Sequence, residues 1–243
     1  RVENIVSIDI SKLNSEQLER FLHIQSIIDR QESAARRVVA YGDYYAGRHP
    51  ILLTDRQREY IGDLLSEEEF TFAHNVVRTV IDTVRERLEV TGFTVNGSGA
   101  GDEISEGQIA AFLWQWWKAN RMDAEQIRVH RRGLRDGYSY VMVSFDSEKG
   151  RPDFSLHKVW NGTSGVTFHR DPGNLKHILF ANRYFYTYDP LTPGKTGKLR
   201  KTTYLPGEIR KYIQNGSAIN QWSPILDDGD PAWPLPWRDR AGQ

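Results

Sequence analysis

The chain has 243 residues, enough for one large domain or two modest ones with an ordinary core. Lys plus Arg and Asp plus Glu each number 32, so the formal charge is zero and no global basic field draws the chain onto nucleic acid or an anionic membrane. The absence of cysteine excludes disulfides, thiolate metal sites and cysteine nucleophiles, and no apolar run approaches the roughly 20 residues a membrane-spanning helix needs. Aromatic residues make up 12% of the chain, seven of them Trp, against a hydrophobic fraction of 39%, so large rings must carry much of the burial or of any subunit contact. The chain opens on Arg1 and closes after Trp233-Pro234-Leu235-Pro236-Trp237, which gives the expectation of a piece of something longer.

From Ser15 to Tyr41 the apolar positions Leu18, Phe21, Leu22, Ile24, Ile28, Ala35, Val38 and Val39 recur mostly at helical spacing, interrupted by charge from Asp29 to Glu32. One long helix, kinked at the charged stretch and ending near Gly42 and Gly47, is the simplest expectation. Thr54 and Gln57 resemble a capping box for a short helix through Leu65. Phe72, Val76, Val80, Val84 and Leu88 are spaced by four, with Arg78, Asp82, Arg85 and Glu89 elsewhere on the wheel, which predicts an amphipathic helix. Phe93 to Val95 is a candidate short strand, and Gly97 to Gly101 a flexible loop.

Ser105 with Gln108 opens the clearest helix, carrying Ile109, Phe112, Leu113, Trp116 and Trp117 on one stripe. It breaks at Asn120-Arg121, and Asp123 with Gln126 is expected to cap a second helix closing near Gly137. From Tyr138 the pattern turns to β: Tyr138 to Phe145, Phe154 to Val159, Gly165 to His169, Ile178 to Tyr188, Lys201 to Leu205, Ile209 to Ile213 and Ala218 to Trp222 are separated by turn residues. The fold class is α+β, a helical part over residues 1–137 and a meandering antiparallel sheet over 138–243. Asn96, Asn161 and Asn215 each stand in Asn-Gly-Ser/Thr, read as turn chemistry.

Few constellations carry chemistry. Gly97-Ser98-Gly99-Ala100-Gly101 lets amides approach a phosphate, but Asp102, Glu103 and Glu106 follow it and no Gly-Lys-Ser/Thr occurs, so a linker is the simpler reading. His157, His169 and His177 with Asp171 show no metal-ligand spacing, no serine elbow exists, and the acidic pairs sit in loop-like sequence. No catalytic, cofactor or metal residue is therefore assigned. Arg128, Arg131, Arg132 and Arg135 fall on one broad helical face, with Ile127 and Leu134 expected to hold the other face to the core. Subunit salt bridges or a solvated face suit those arginines better than DNA in a neutral chain. Trp114 lies off the apolar stripe of its helix and is a candidate partner contact.

The order of Tyr44-Tyr45-Ala46-Gly47-Arg48-His49-Pro50, the run Asn75 to Leu88 leading into Gly92-Phe93, then Trp116, Asn120, Asp123, Gly137-Tyr138-Ser139-Tyr140-Val141 and Thr203-Tyr204-Leu205-Pro206 resembles the portal proteins of tailed bacteriophages, of the kind found in long-tailed phages of Gram-positive hosts. The resemblance covers roughly Tyr44 to Tyr212. It implies the N-terminal part of a wing domain, in a dodecameric ring of identical subunits at one capsid vertex of the virion, assembled in the bacterial cytoplasm. It also implies partners reached through the whole protein: terminase, scaffold, capsid and head-tail adaptor proteins, and double-stranded DNA passing without sequence specificity. In the family the portal itself hydrolyses nothing, and the stem, clip and tunnel loop lie further along, so no DNA-tunnel residue is carried over. Two other readings stay open: a phosphate-handling or nucleic-acid-processing enzyme using Gly97 to Gly101 and the Arg128 to Arg135 helix, and a protein-binding module using Trp114 and the arginine face.

Overall fold

The computed structural model describes residues 9–31, 33–48, 56, 59, 75–95, 106–188, 196–214, 222–225 and 235–236. The chain is α+β and forms two compact units, one of Arg1–Arg36 with Met142–Gln243 and one of Arg37–Val141.

In the first unit, helix α1 (Ser15–Gln31) follows a single 3-10 turn at Ile10–Lys12. Its start is a reciprocal box: Gln17 N donates to Asn14 Oδ1 at 2.8 Å, and Asn14 N to Gln17 Oε1 at 3.1 Å. Strands β1 (Tyr140–Asp146), which crosses from the second unit, and β2 (Arg151–His157) pair with each other. β3 (Gly165–Asp171), β4 (Asn174–Tyr188), β5 (Thr196–Leu205), β6 (Glu208–Gln214) and β7 (Trp222–Pro224) form an antiparallel meander in chain order, and β8 (Leu235–Pro236) also pairs with β6.

Turn chemistry sets these connections. Pro206-Gly207 joins β5 to β6, with Gly207 at φ 83°, and Asp171 Oδ1 takes the Gly173 amide at 2.9 Å between β3 and β4. At Asn161 the predicted turn is present: its side-chain oxygen accepts from the amides of Thr163 and Ser164. The sequences around Asn96 and Asn215 lie outside the described residues.

The core of this unit lies between α1 and the sheet. Leu22 meets Leu179, Phe180 and Leu205, with Ile10, Leu18 and Phe21 around them. Ala35, at the start of α2 (Ser33–Tyr45), meets Trp160, Tyr184 and Leu199. Charge pattern alone could not show that the first helix belongs with the sheet.

In the second unit α2 runs to Tyr45, between the Gly42 and Gly47 near which the sequence places its end, and Gly47 at φ 80° turns the chain. Helix α3 (Val76–Arg85) is capped by Asn75, whose Oδ1 accepts the Arg78 amide at 3.0 Å. Helices α4 (Glu106–Ala119) and α5 (Met122–Asp136) meet at Arg121, in the left-handed region at φ 55°, and Gly137 at φ 82° ends α5.

Three local expectations change. Gln126 does not cap α5; it is buried, accepting the Val90 amide at 2.8 Å and donating to the Asp123 carbonyl at 3.0 Å, while Arg121 precedes the helix without a side-chain cap. Phe93 to Val95 is not a strand: it pairs with none of the described strands, and the Phe93 ring packs against Trp114 and Trp117. Ile127 and Leu134 are exposed rather than core. Of the helix expected at 54–65 only residues 56 and 59 are described, both helical; the Gly97 to Gly101 loop and Phe72 lie outside the described residues.

Candidate functional site

The most developed polar site is the seam between α1 and the sheet. Glu19, Leu22, Ser26 and Asp29 recur at spacings of three and four, so they share one helical face. That face lies across the strands, and successive strands meet it with polar side chains.

Asp29 is the focus. Its Oδ2 accepts from Tyr184 Oη at 2.7 Å, Asn182 Nδ2 at 3.0 Å and Thr167 Oγ1 at 3.0 Å. His169 Nε2 lies 3.1 Å from Oδ1 and 3.3 Å from Oδ2, an arrangement that places the ring proton on Nε2, and the imidazole stacks on Phe180. The backbone carbonyl of Asp29 takes the Trp160 indole N–H at 2.9 Å. Burial pushes the Asp29 carboxyl up, but His169, Tyr184 and Asn182 outweigh it and hold its pKa below the usual 3.8.

The sheet register explains why these groups converge. Thr167, Asn182, Thr203 and Arg210 are cross-strand partners in one row, and Tyr184, Lys201 and Tyr212 in another. Thr203 Oγ1 donates to Asn182 Oδ1 at 2.8 Å and so fixes the amide that faces Asp29. Lys201, 2% exposed, donates to Ser26 Oγ at 2.7 Å and sits 4.2 Å from the Tyr212 ring centre and 5.2 Å from that of Trp222. Burial lowers its pKa from 10.5 to about 8, against the pull of Glu19 and Asp29. Ser26 passes the chain on to the Leu22 carbonyl at 2.7 Å. On β6, Arg210 holds Glu19 and Glu208, and Tyr212 donates to Glu19 at 2.9 Å.

This seam ties a helix to a sheet. Its central groups, Ser26, Asp29, Asn182, Lys201 and Thr203, are buried and hydrogen-bonded within the seam, which is what fixing a unique docking geometry requires. Sequence reasoning missed it because it followed apolar periodicity, whereas the signal was a polar stripe on the same helix. Among the described residues no group of three or more His, Cys, Asp or Glu could hold a metal ion, and His169 is engaged by Asp29 instead.

The residues singled out from sequence lie in the second unit. Trp114 is half-buried on α4, with Phe93 edge-on at 6.1 Å and the Lys118 ammonium 5.5 Å from its ring centre. Arg128 pairs with Glu125 at 3.0 Å, Arg135 with Asp136 at 2.6 Å, and Arg131 Nε lies 3.6 Å from Asp82. Arg132 has no carboxylate within ion-pair distance among the described residues; burial, then Arg128 and Arg135, lower its pKa. The four arginines are thus not one free basic face, since three already have acidic neighbours. Asp82 and Tyr45, which sequence reasoning passed over, organise this region: the Tyr45 hydroxyl donates to Asp82 at 2.9 Å, and Asn75 Nδ2 donates to the Tyr45 carbonyl at 2.7 Å.

Comparison with known proteins places these elements in context. No family model matches the chain. It is 29% identical over 139 residues to the portal protein of Mycobacterium phage L5, a stretch covering 56% of this chain and 24% of that protein. It is 33% identical over 84 residues to the portal protein of Mycobacterium phage D29, covering 35% of this chain and 14% of that protein. The matched stretch therefore spans about a quarter or less of either relative. Both relatives are phage portal proteins, the family that the sequence motifs resemble, and the chain is similar to them.

Proposed function

We propose that this chain is part of a structural subunit of a phage portal, the ring through which DNA enters and leaves the capsid. The observation that carries the reading is the similarity to two portal proteins, together with motifs that recur in portal order from Tyr44 to Tyr212. In the whole protein the subunit forms a dodecameric ring at one capsid vertex, and engages terminase, scaffold, capsid and adaptor proteins. It acts as a scaffold and not as an enzyme.

The electrostatics suit that role. A channel subunit must not grip a sliding polyanion, because each Lys or Arg bound to phosphate releases counterions and adds affinity. Here the formal charge is zero, and Arg128, Arg131, Arg135 and Arg210 each stand beside a carboxylate of the same chain. Ring subunits also need head-to-tail contacts, for which Trp114 and the Arg128, Arg131, Arg132 and Arg135 face are the proposed surfaces.

Immunogold labelling of virions with antibodies against this chain tests the reading. Gold confined to one vertex is the expected outcome. Gold over the whole capsid or along the tail contradicts it.

A further inference from the structure

Within the 37–141 unit, three guanidiniums converge on one carboxylate. Arg78 Nε lies 3.4 Å from Asp82, Arg131 Nε 3.6 Å and Arg85 Nε 3.7 Å, while the Tyr45 hydroxyl already occupies Asp82 Oδ1 at 2.9 Å. Arg78 and Arg85 stand seven residues apart on α3, and Arg131 reaches the same place from α5, so the convergence is built by helix packing. Only Arg78 comes within hydrogen-bond distance of Asp82.

The consequence falls on two atoms. The Nε groups of Arg85 and Arg131 are shielded from solvent, and the nearest acceptor, Asp82 Oδ1, lies just beyond hydrogen-bond distance at 3.7 and 3.6 Å, so neither makes a hydrogen bond. A buried donor without an acceptor is uncommon in folded proteins and marks a place where an acceptor belongs. Side-chain exposure rises from 16% at Arg85 through 38% at Arg131 to 64% at Arg78, so the cluster opens to solvent on the Arg78 side.

We propose that Arg78, Arg85 and Arg131 form a binding site for a single oxyanion, seated beside Asp82 and Tyr45. This goes beyond the gateway role and does not depend on it. Planar guanidinium forks match the geometry of phosphate, sulfate or carboxylate oxygens, and an anion with several acceptor lone pairs engages more than one fork at once. Arg135, whose guanidinium lies 5.9 Å from the Tyr45 ring centre, is neutralised by Asp136, and Arg85 also holds Glu86 at 3.1 Å. Four guanidiniums thus face the three carboxylates of Asp82, Glu86 and Asp136, leaving one surplus positive charge. That surplus suits one oxyanion. A nucleic-acid backbone, which rewards many simultaneous phosphate contacts, gains little from it.

The test is a titration of the chain with inorganic phosphate at constant ionic strength set by chloride, read by nitrogen-15 NMR of the arginine Nε–Hε groups. The expected result is saturable shifts at Arg85 and Arg131 and none at Arg128. Arg85→Lys and Arg131→Lys each weaken phosphate binding roughly tenfold, since lysine is a point donor without the fork. Asp82→Asn tightens it by removing the competing negative charge, a gain that a misfolded variant could not mimic. Shifts that are absent, or equal at Arg128, overturn the site, as does an Asp82→Asn variant that binds no better. A 20-base-pair duplex that displaces phosphate through the same arginines, with affinity falling steeply in salt, overturns the single-anion form in favour of nucleic acid.

Discussion

The Tyr184 hydroxyl donates to the Asp29 carboxylate at 2.7 Å, joining residues 155 positions apart, and around that bond three strands are pinned to one helix. Asp29 is 3% exposed, so its charge has left water and is held by donors alone. Replacing it with alanine takes an acceptor from the buried Tyr184 and Asn182 and from the half-buried Thr167. Asp29→Ala is expected to cost about 3–5 kcal/mol in urea unfolding, the range for breaking a buried charged network, and Asp29→Asn measurably less. Equal stability of wild type and Asp29→Ala would show that the seam does not hold the helix.

The seam also sets a pH dependence. The folded-state pKa of Asp29 lies below its usual 3.8, so its contribution is present above that value and is lost as pH falls through the lower folded one. Lys201 acts in the opposite range. Its pKa falls from 10.5 to about 8, so below pH 8 the folded state carries a desolvated charge, and stability rises from pH 8 upward as that charge is released. Burial, with Glu19 beside it, raises the Tyr212 pKa above 10, which makes stability fall again once unfolded tyrosines ionise. Urea midpoints measured from pH 7 to 10 should therefore climb for the wild type and stay flat for Lys201→Met.

Much of the secondary structure was legible. The stripe Ile109, Leu113, Trp116 and Trp117 gave α4, and β-branched and aromatic runs bounded by Gly and Pro gave the strands, because local spacing and turn residues decide both. The seat of α1 was not legible. Ser26 and Asp29 look like solvent positions in one dimension and become core only when β3 to β5 supply donors. The opposite error arose at α3, whose stripe of Val76, Val80 and Val84 reads as core yet is exposed, with Val80 at 58%, while Asp82 and Arg85 face their neighbours. Of the proposed interface residues, the sequence could place four arginines on α5, but not the carboxylates beside Arg128, Arg131 and Arg135.

Tyr45 is the hydroxyl counterpart in the second unit. Tyr45→Phe removes one bond to a charged acceptor and keeps the ring beneath Arg78 and Arg135. The expected loss is about 1 kcal/mol, with amide exchange quickened in α3 and unchanged in β4, since the two lie in different units.

Gly165 is a backbone constraint of another kind. It sits at φ 136°, and a Cβ there would lie 2.5 Å from the Val159 carbonyl oxygen, where the chain approaches β3 through the Val159 to Val166 bridge. Gly165→Ala should lower the thermal midpoint of the sheet unit more than Gly207→Ala, whose added Cβ meets nothing within 4 Å although its φ is also positive. Differential scanning calorimetry of the two variants decides the order.

The portal reading makes its most direct claim about assembly of the whole protein. Negative-stain electron microscopy of the purified full-length protein should show rings with a central hole wide enough for duplex DNA. Discrete small particles without a ring, at concentrations where portal subunits would assemble, would contradict the account.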